Sequence, residues 1–255
     1  MTSVIVSSPY VSQSKSLRRL MINVIIGLIP GTLAYAWFFG PSIMINIAIA
    51  VLFALGFEAF ILWLRKKSIK PHLNDYSAVV TGWLFALCLP SHSVWWLIVV
   101  GIGFAMIAGK HLYGGLGFNP FNPAMVGYVV LLISFPKEMT SWHLPIPMSG
   151  ETYGLVDSLK FVLGIGDSTW DAFTAATPLD HVKTALRQDI PISEIFQAPL
   201  FGKLGGIGWE WISAGWLIGG LWLLINKTIR WHIPVALLGS LGSIAWVFYL
   251  IDAET

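Results

Sequence analysis

Residues 42–64 read SIMINIAIAVLFALGFEAFILWL, a long apolar run in which Glu58 is the only charged side chain. An α-helix needs about 20 apolar residues to cross the hydrocarbon core of a bilayer. Further apolar runs occupy residues 20–39, 77–90, 93–109, 118–135, 209–226 and 231–251. The chain is 56% hydrophobic and 11% charged, whereas soluble domains are about 25% charged. This pattern predicts an all-α integral membrane protein, a helical bundle of seven spans.

Two of the runs are expected to form short or broken helices. Residues 77–90 fall short of a full span, and the fifth run opens with Phe118-Asn-Pro-Phe-Asn-Pro123. The two prolines oppose a regular helix start there, because proline lacks a backbone N–H and fixes φ. In transporters, interrupted helices of this kind line a central binding site.

Lys and Arg residues predict the orientation of the chain. Outside the segment 136–208 they fall in four groups, at residues 15–19, 65–70, 110 and 227–230. All four groups lie on one side of the membrane if every run spans it, and basic residues in short loops favour the cytoplasm. The predicted organisation is therefore a cytoplasmic N-terminal segment (1–19), a first membrane half of five spans (20–135), a small periplasmic lobe (136–208) and a second membrane half that starts with two spans (209–255).

The predicted lobe contains a small polar stretch, Asp171-Ala-Phe-Thr-Ala-Ala-Thr177-Pro-Leu-Asp180. Spacings of three residues place Asp171, Thr174 and Thr177 on one side of a helical turn. Pro178 favours an extended conformation of Thr177, so that Thr177 can present its hydroxyl outward. From these residues alone, the alternative is a local turn in which Asp and Thr bond the backbone and the proline stops a helix.

Two other polar features have alternative interpretations. Asp75, two residues before Ser77, is either an ordinary cap of the third helix or part of a cofactor site. Glu58 is either an intramembrane carboxylate on an ion pathway or a group near the interface beside the basic residues 65–67. With Cys88 as its only cysteine, the chain cannot build a disulfide or a Cys-rich metal site alone, and we predict no metal site. The basic residues lie in loops between apolar runs, which argues against nucleic-acid binding.

The motif Asp171-x-x-Thr174-x-Ala176-Thr177 resembles the flavinylation motif of the RnfD family, membrane proteins of the Rnf ion-translocating electron-transport complex. It also resembles the related NqrB family of the Na⁺-translocating NADH:quinone reductase, although the usual glycine before the final Ala-Thr is Ala175 here. The segment Asp75-Tyr-Ser-Ala and the run Gly114-Gly-Leu-Gly-Phe-Asn-Pro-Phe-Asn-Pro-Ala-Met125 extend the resemblance. The short polar leader before residue 20 favours RnfD over NqrB.

The resemblance implies a cofactor and its attachment site. Thr177 is expected to carry FMN through a phosphoester bond made by a dedicated flavin transferase, with Asp171, Thr174 and Ala176 forming the attachment motif. A second, non-covalent flavin is a further expectation. The backbone amides of the glycine-rich run, with Gly115, Asn119 and Asn122, could bond its ring, or they could merely satisfy the irregular backbone of that run.

The resemblance also implies a function and a fold. The chain is expected to be the flavin-carrying redox subunit of an ion-translocating ferredoxin:NAD⁺ oxidoreductase in the bacterial inner membrane. Its expected partners are the Rnf subunits A, B, C, E and G, and it is not catalytic alone. The family fold has two inverted five-helix halves and resembles urea transporters, so about three more C-terminal helices are expected. The alternative is a channel or transporter for a small solute or ion with that fold and no redox role.

Overall fold

A computed structural model describes residues 16–150, 154–165, 176–202 and 205–251. Its helices in the first part of the chain are α1 (Leu17–Phe39), α2 (Ser42–Leu64), α3 (Ile69–Leu73), α4 (Ser77–Leu87), α5 (Trp95–Phe104) with a π-helical segment (Ala105–His111), and α6 (Pro123–Ser134). Those in the remainder are α7 (Pro136–Thr140), α8 (Ile146–Ser149), α9 (Leu155–Leu163), α10 (Pro178–Leu186), α11 (Ile192–Ile195), α12 (Trp209–Ile225) and α13 (His232–Ile251).

All seven apolar runs form helices, and the described residues contain no strand, only isolated bridge positions such as the pair Phe201 and Gly206. The prediction of an all-α membrane protein is confirmed. Three helices, α1, α2 and α13, are long and apolar enough to cross a membrane, and the other apolar helices are shorter. The expected short helices are present: α4 has 11 residues, and α6 begins only at Pro123 and has 12.

Helices α1 and α12 pack closely because glycines face each other across their contact. Gly27 and Gly31 are four residues apart on α1, and Gly215 and Gly219 have the same spacing on α12. A Cβ atom added to Gly219 would overlap the carbonyl oxygen of Gly27, and one on Gly215 would lie 2.8 Å from the Gly31 Cα. Small residues at this spacing let membrane helices approach backbone to backbone. This contact joins the first helix of the chain to α12, which follows the lobe helices.

Helices α4, α5 and α6 form a buried core with α2. Helix α4 packs against α2, and the Cβ position of Gly82 lies 2.9 Å from the carbonyl oxygen of Ala50. Phe85, Ile98 and Leu131, from α4, α5 and α6, are fully buried in the same core. By contrast, α13 has no buried residue within the described chain.

The bundle has two chemically different ends. We call one the basic end, because Arg65 and Lys110 meet there: the Arg65 side chain donates to the carbonyl oxygen of His111, and Arg18 lies over the Tyr76 ring at 5.4 Å. We call the other the lobe end, because the helices α7–α11 follow α6 there. The basic end includes the start of α1 and the end of α12, where Asn23 donates to the Thr228 hydroxyl at 3.1 Å.

Aromatic rings and two histidines attach the lobe helices to the bundle. Trp209 contacts both Phe39 and Trp142, with ring centroids 5.0 and 5.8 Å away. His92, in the loop before α5, packs on His143 at 4.2 Å. Burial lowers the pKa of His92 to about 3 and that of His143 to about 4, so both imidazoles are neutral at pH 7 and can sit in this apolar contact.

We expect the substitution Gly219→Ala to weaken the contact between α1 and α12, because the added methyl group collides with the Gly27 carbonyl oxygen. Overpacking of this kind costs about 1–3 kcal/mol. The matched control is Gly220→Ala on the next position, where an added Cβ meets nothing within 4 Å. The thermal midpoint of the purified protein in detergent should fall for Gly219→Ala only. Equal midpoints for the two variants would contradict the backbone-to-backbone packing.

Candidate functional site

A buried ion pair lies at the basic end between α2 and the π-helical segment. Lys110 Nζ is 2.6 Å from Glu58 Oε2 and also donates to the Ser77 hydroxyl at 2.8 Å. His111 Nε2 lies 3.2 Å from the same carboxylate oxygen. Glu58 and Lys110 are each only 1% exposed. The carboxylate therefore has a cation in direct contact with it, and both side chains are almost fully buried.

The local structure explains how these groups meet. Lys110 and His111 are the last residues of the π-helical segment, a wider turn that is frequently found at functional sites. Ser77 is held at the start of α4 because its backbone N–H donates to Asp75 Oδ1 at 2.7 Å. The capping interpretation of Asp75 is confirmed. Glu58 lines a cavity together with Arg65 and Lys67, as the interfacial interpretation predicts, but the groups that contact its carboxylate are Lys110 and His111.

A cavity of about 420 Å³ opens beside the ion pair. Asp75 and Gly115 both line it, so the two sequence stretches that share the family resemblance meet at one site. Arg65 and Lys67 add positive charge to its wall. Gly115 has a φ of +116° and no neighbour within 4 Å of its Cβ position. The cavity can therefore receive an anionic or hydrogen-bonding ligand close to the backbone.

The two asparagines predicted to bind a cofactor make local backbone bonds in this conformation. Asn119 accepts from the Gly117 N–H at 3.2 Å and donates to the Phe121 carbonyl at 2.6 Å. Asn122 caps α6 by accepting from the Ala124 N–H at 3.0 Å. Gly115, the third residue of this run that was predicted to bind a cofactor, lies in the cavity wall.

Thr177 lies at the lobe end, where it is the N-cap residue of α10. Its φ and ψ of −65° and 158° are extended, as Pro178 predicts. Its hydroxyl oxygen accepts from the Asp180 N–H at 3.3 Å, and the hydroxyl donates to Asp180 Oδ2 at 3.0 Å. Thr177 is partly exposed, and the neighbouring Ala176 is exposed. Asp171 and Thr174 lie outside the described residues.

The sequence carried one signal that our interpretation missed. Pro178 is the first residue of α10, a helix start that our interpretation did not predict. The pattern Thr177-Pro-Leu-Asp180 combines a favoured N-cap residue, a proline in the first position and an acidic residue three positions on, which together are typical of a helix start. Thr177 is therefore fixed as the N-cap residue of this helix, and its oxygen accepts from the Asp180 amide.

The two sites are far apart. The basic cavity is at the start of α1 and the lobe helices are at its end, and 23 residues of α-helix are about 34 Å long. A single bound molecule cannot occupy both sites. The chain thus presents two separate sites on opposite ends of one bundle.

Comparison with known proteins supplies the family. A family model described as the NQR2, RnfD, RnfE family matches residues 4–255. Proteins named as the D subunit of the ion-translocating oxidoreductase complex, from Salmonella newport (strain SL254), Salmonella agona (strain SL483) and Salmonella enteritidis PT4 (strain P125109), are each 46% identical over 258 aligned positions. Each alignment covers 96% of this chain and 73% of the relative.

We expect Lys110→Met to destabilise the protein, because it leaves the Glu58 carboxylate buried without its cation. Removing one partner of a buried pair costs about 3–5 kcal/mol, whereas replacing both is often nearly neutral. The double variant Glu58→Gln/Lys110→Met should therefore be more stable than the single one. The exposed Lys70→Met is the control. Thermal midpoints in detergent measure the effect, and a single variant as stable as the control would contradict the buried pair.

Proposed function

Because the chain belongs to the NQR2, RnfD, RnfE family, we propose that it is the flavin-carrying membrane subunit of an Rnf-type ion-translocating ferredoxin:NAD⁺ oxidoreductase, with FMN attached to Thr177. Membership of this family supports the proposed type of complex. The position of Thr177 supports the attachment site.

The surroundings of Thr177 fit a phosphoester. The hydroxyl is partly exposed at the start of a nine-residue helix, within 3.3 Å of the Asp180 amide nitrogen. Helix N-termini favour phosphate, because their free N–H groups and the helix dipole both attract negative charge. The extended conformation of Thr177 also keeps its side chain outside the helix body.

The position of Thr177 indicates which part of the function the protein supplies and which part FMN would supply. FMN, when bound, supplies reversible electron uptake and release. Thr177 anchors the phosphate, and the positive end of the α10 dipole, beside Thr177, favours its negative charge. The chain is then a redox subunit that requires its neighbours, which we propose to be Rnf subunits A, B, C, E and G, and a flavin transferase that loads it.

The cavity at the basic end fits a second, non-covalent flavin. Arg65 and Lys67 provide positive charge, and the positive-φ glycines 114 and 115 leave open backbone beside it. A flavin there would need no covalent bond, since the wall contains both charged and amide donors. Gly115 belongs to this proposed site, together with the loop that Asn119 and Asn122 hold in place.

We place the protein in the bacterial inner membrane, with the basic end in the cytoplasm and the lobe end in the periplasm. The charge asymmetry supports this orientation, because Arg65 and Lys110 gather at the end opposite Thr177. Thr177 and its flavin are then periplasmic, where a covalent bond prevents loss of the cofactor.

We expect Thr177→Asn and Thr177→Val both to abolish covalent flavin when the complex is co-expressed with its flavin transferase. Ultraviolet fluorescence of the denatured band on a gel measures attachment. Asparagine is a good N-cap residue, whereas valine loses the cap at a cost of about 1 kcal/mol, so only the valine variant should also destabilise α10. Thr184→Val, on the same helix, is the control and should keep its fluorescence. Covalent flavin on the asparagine variant would refute the attachment site.

The orientation can be tested with single cysteines in a Cys88→Ser background. A cysteine replacing the exposed Lys160 on α9 should react with a membrane-impermeant thiol reagent in spheroplasts. One replacing the exposed Lys67 should react only after the membrane is opened with detergent. Mass shifts of the purified chain report the labelling. Reaction of both before detergent treatment, or of Lys67→Cys alone, would overturn the proposed orientation.

A further inference from the structure

We propose that the cleft between α10 and α11 seats the isoalloxazine ring of the flavin attached to Thr177, with His181, Gln188 and Glu194 as its polar edge. This inference rests on the proposed function. It concerns where the ring lies and which residues position it, which the attachment motif alone does not say.

The cleft is on the same side of α10 as Thr177. His181 and Thr184 follow Thr177 by four and seven residues, the spacing of one helical face, and Gln188 lies in the turn just after α10. All three line a cavity of about 250 Å³. The His181 backbone N–H also donates to the Thr177 carbonyl at 2.9 Å, so the first turn fixes the two residues relative to each other. The attachment point therefore adjoins the helix that forms one wall of the cleft, and α11 contributes to the other wall.

The reach of the cofactor matches this distance. Eight covalent bonds join the threonine oxygen to the first ring nitrogen, and at the extended-chain rise of about 3.4 Å per three bonds they span roughly 9 Å. Thr184 is seven residues beyond Thr177, about 10 Å along a helix. A ring tethered at Thr177 can thus begin between His181 and Thr184 and extend toward Gln188. The basic cavity, at the far end of α1, is beyond this reach.

The lining suits a flat ring with one polar edge. Ala185 and Ile195 form an apolar floor and are only 6% and 3% exposed. Gln188 and Glu194 lie on the rim. The pyrimidine edge of a flavin alternates acceptor, N–H donor and acceptor. A carboxylate accepts from the central N–H, while the amide of Gln188 and the imidazole of His181 can donate to the flanking oxygens.

The test uses the intact complex, loaded with flavin by its transferase. Quenching of the native flavin fluorescence by iodide reports how accessible the ring is to solvent. His181→Ala removes one side of the polar edge, and Thr184→Trp fills the cleft from its exposed rim. Both variants should raise the quenching constant at least twofold and lower the fluorescence anisotropy. Lys183→Ala is the matched control, because Lys183 is on α10 but not in the cleft. The Thr177→Asn complex is the blank: its flavin fluorescence comes from flavin that is not attached to Thr177, and it is subtracted from the fluorescence of every other sample.

Gel fluorescence of the same samples separates the two claims. Loss of covalent flavin in the unaltered protein would mean that the proposed function has failed, whatever the ring position. Normal covalent loading, with equal quenching constants for the unaltered protein, His181→Ala and Thr184→Trp, would overturn the cleft as the ring site. Increased quenching in Lys183→Ala to the same extent would also overturn it, because the effect would then not depend on the cleft.

Discussion

The buried contact between Lys110 and Glu58 determines the arrangement of the basic end. Leaving either charge buried without the other costs about 3–5 kcal/mol, so folding favours keeping the two groups in contact. The pair therefore fixes the π-helical segment against α2, and the Lys110 bond to Ser77 fixes the start of α4 against both. The cavity beside them exists because these three elements are held at that spacing.

The lobe end depends on a different constraint, the close approach of α1 and α12. Glycines make the approach possible in the middle of the two helices, and Phe39 and Trp209 continue it at the lobe end. Gly206 then brings Trp209 next to Pro178, since a Cβ at Gly206 would contact both side chains. Thr177, directly before Pro178, is thus placed relative to the bundle by the packing of the Pro178 and Trp209 side chains around Gly206.

Part of the fold and of the candidate sites could be predicted from the sequence. Long apolar runs fix the helices, because lipid leaves the backbone no other way to satisfy its hydrogen bonds, and the two prolines before residue 124 indicated the late start of α6. The partner of Glu58 could not be predicted, because Lys110 is 52 residues away and only packing brings them together. Asp75 and Gly115 line one cavity for the same reason: they are far apart in sequence, and only packing brings them together. The start of α10 at Pro178 was a local signal and could have been found.

One oxygen of Thr177 both caps α10 and, in the proposed function, carries the phosphate. These roles are compatible because capping uses the oxygen as an acceptor, and an ester oxygen still has lone pairs for the Asp180 N–H. Esterification removes only the hydroxyl proton, and with it the bond to Asp180 Oδ2. The freed carboxylate is repelled by the phosphate and must turn toward solvent, while the remaining N-terminal amides gain a negative charge that they favour. Flavin attachment therefore does not require α10 to unfold, and the same short helix that anchors the cofactor can present its cleft to the ring.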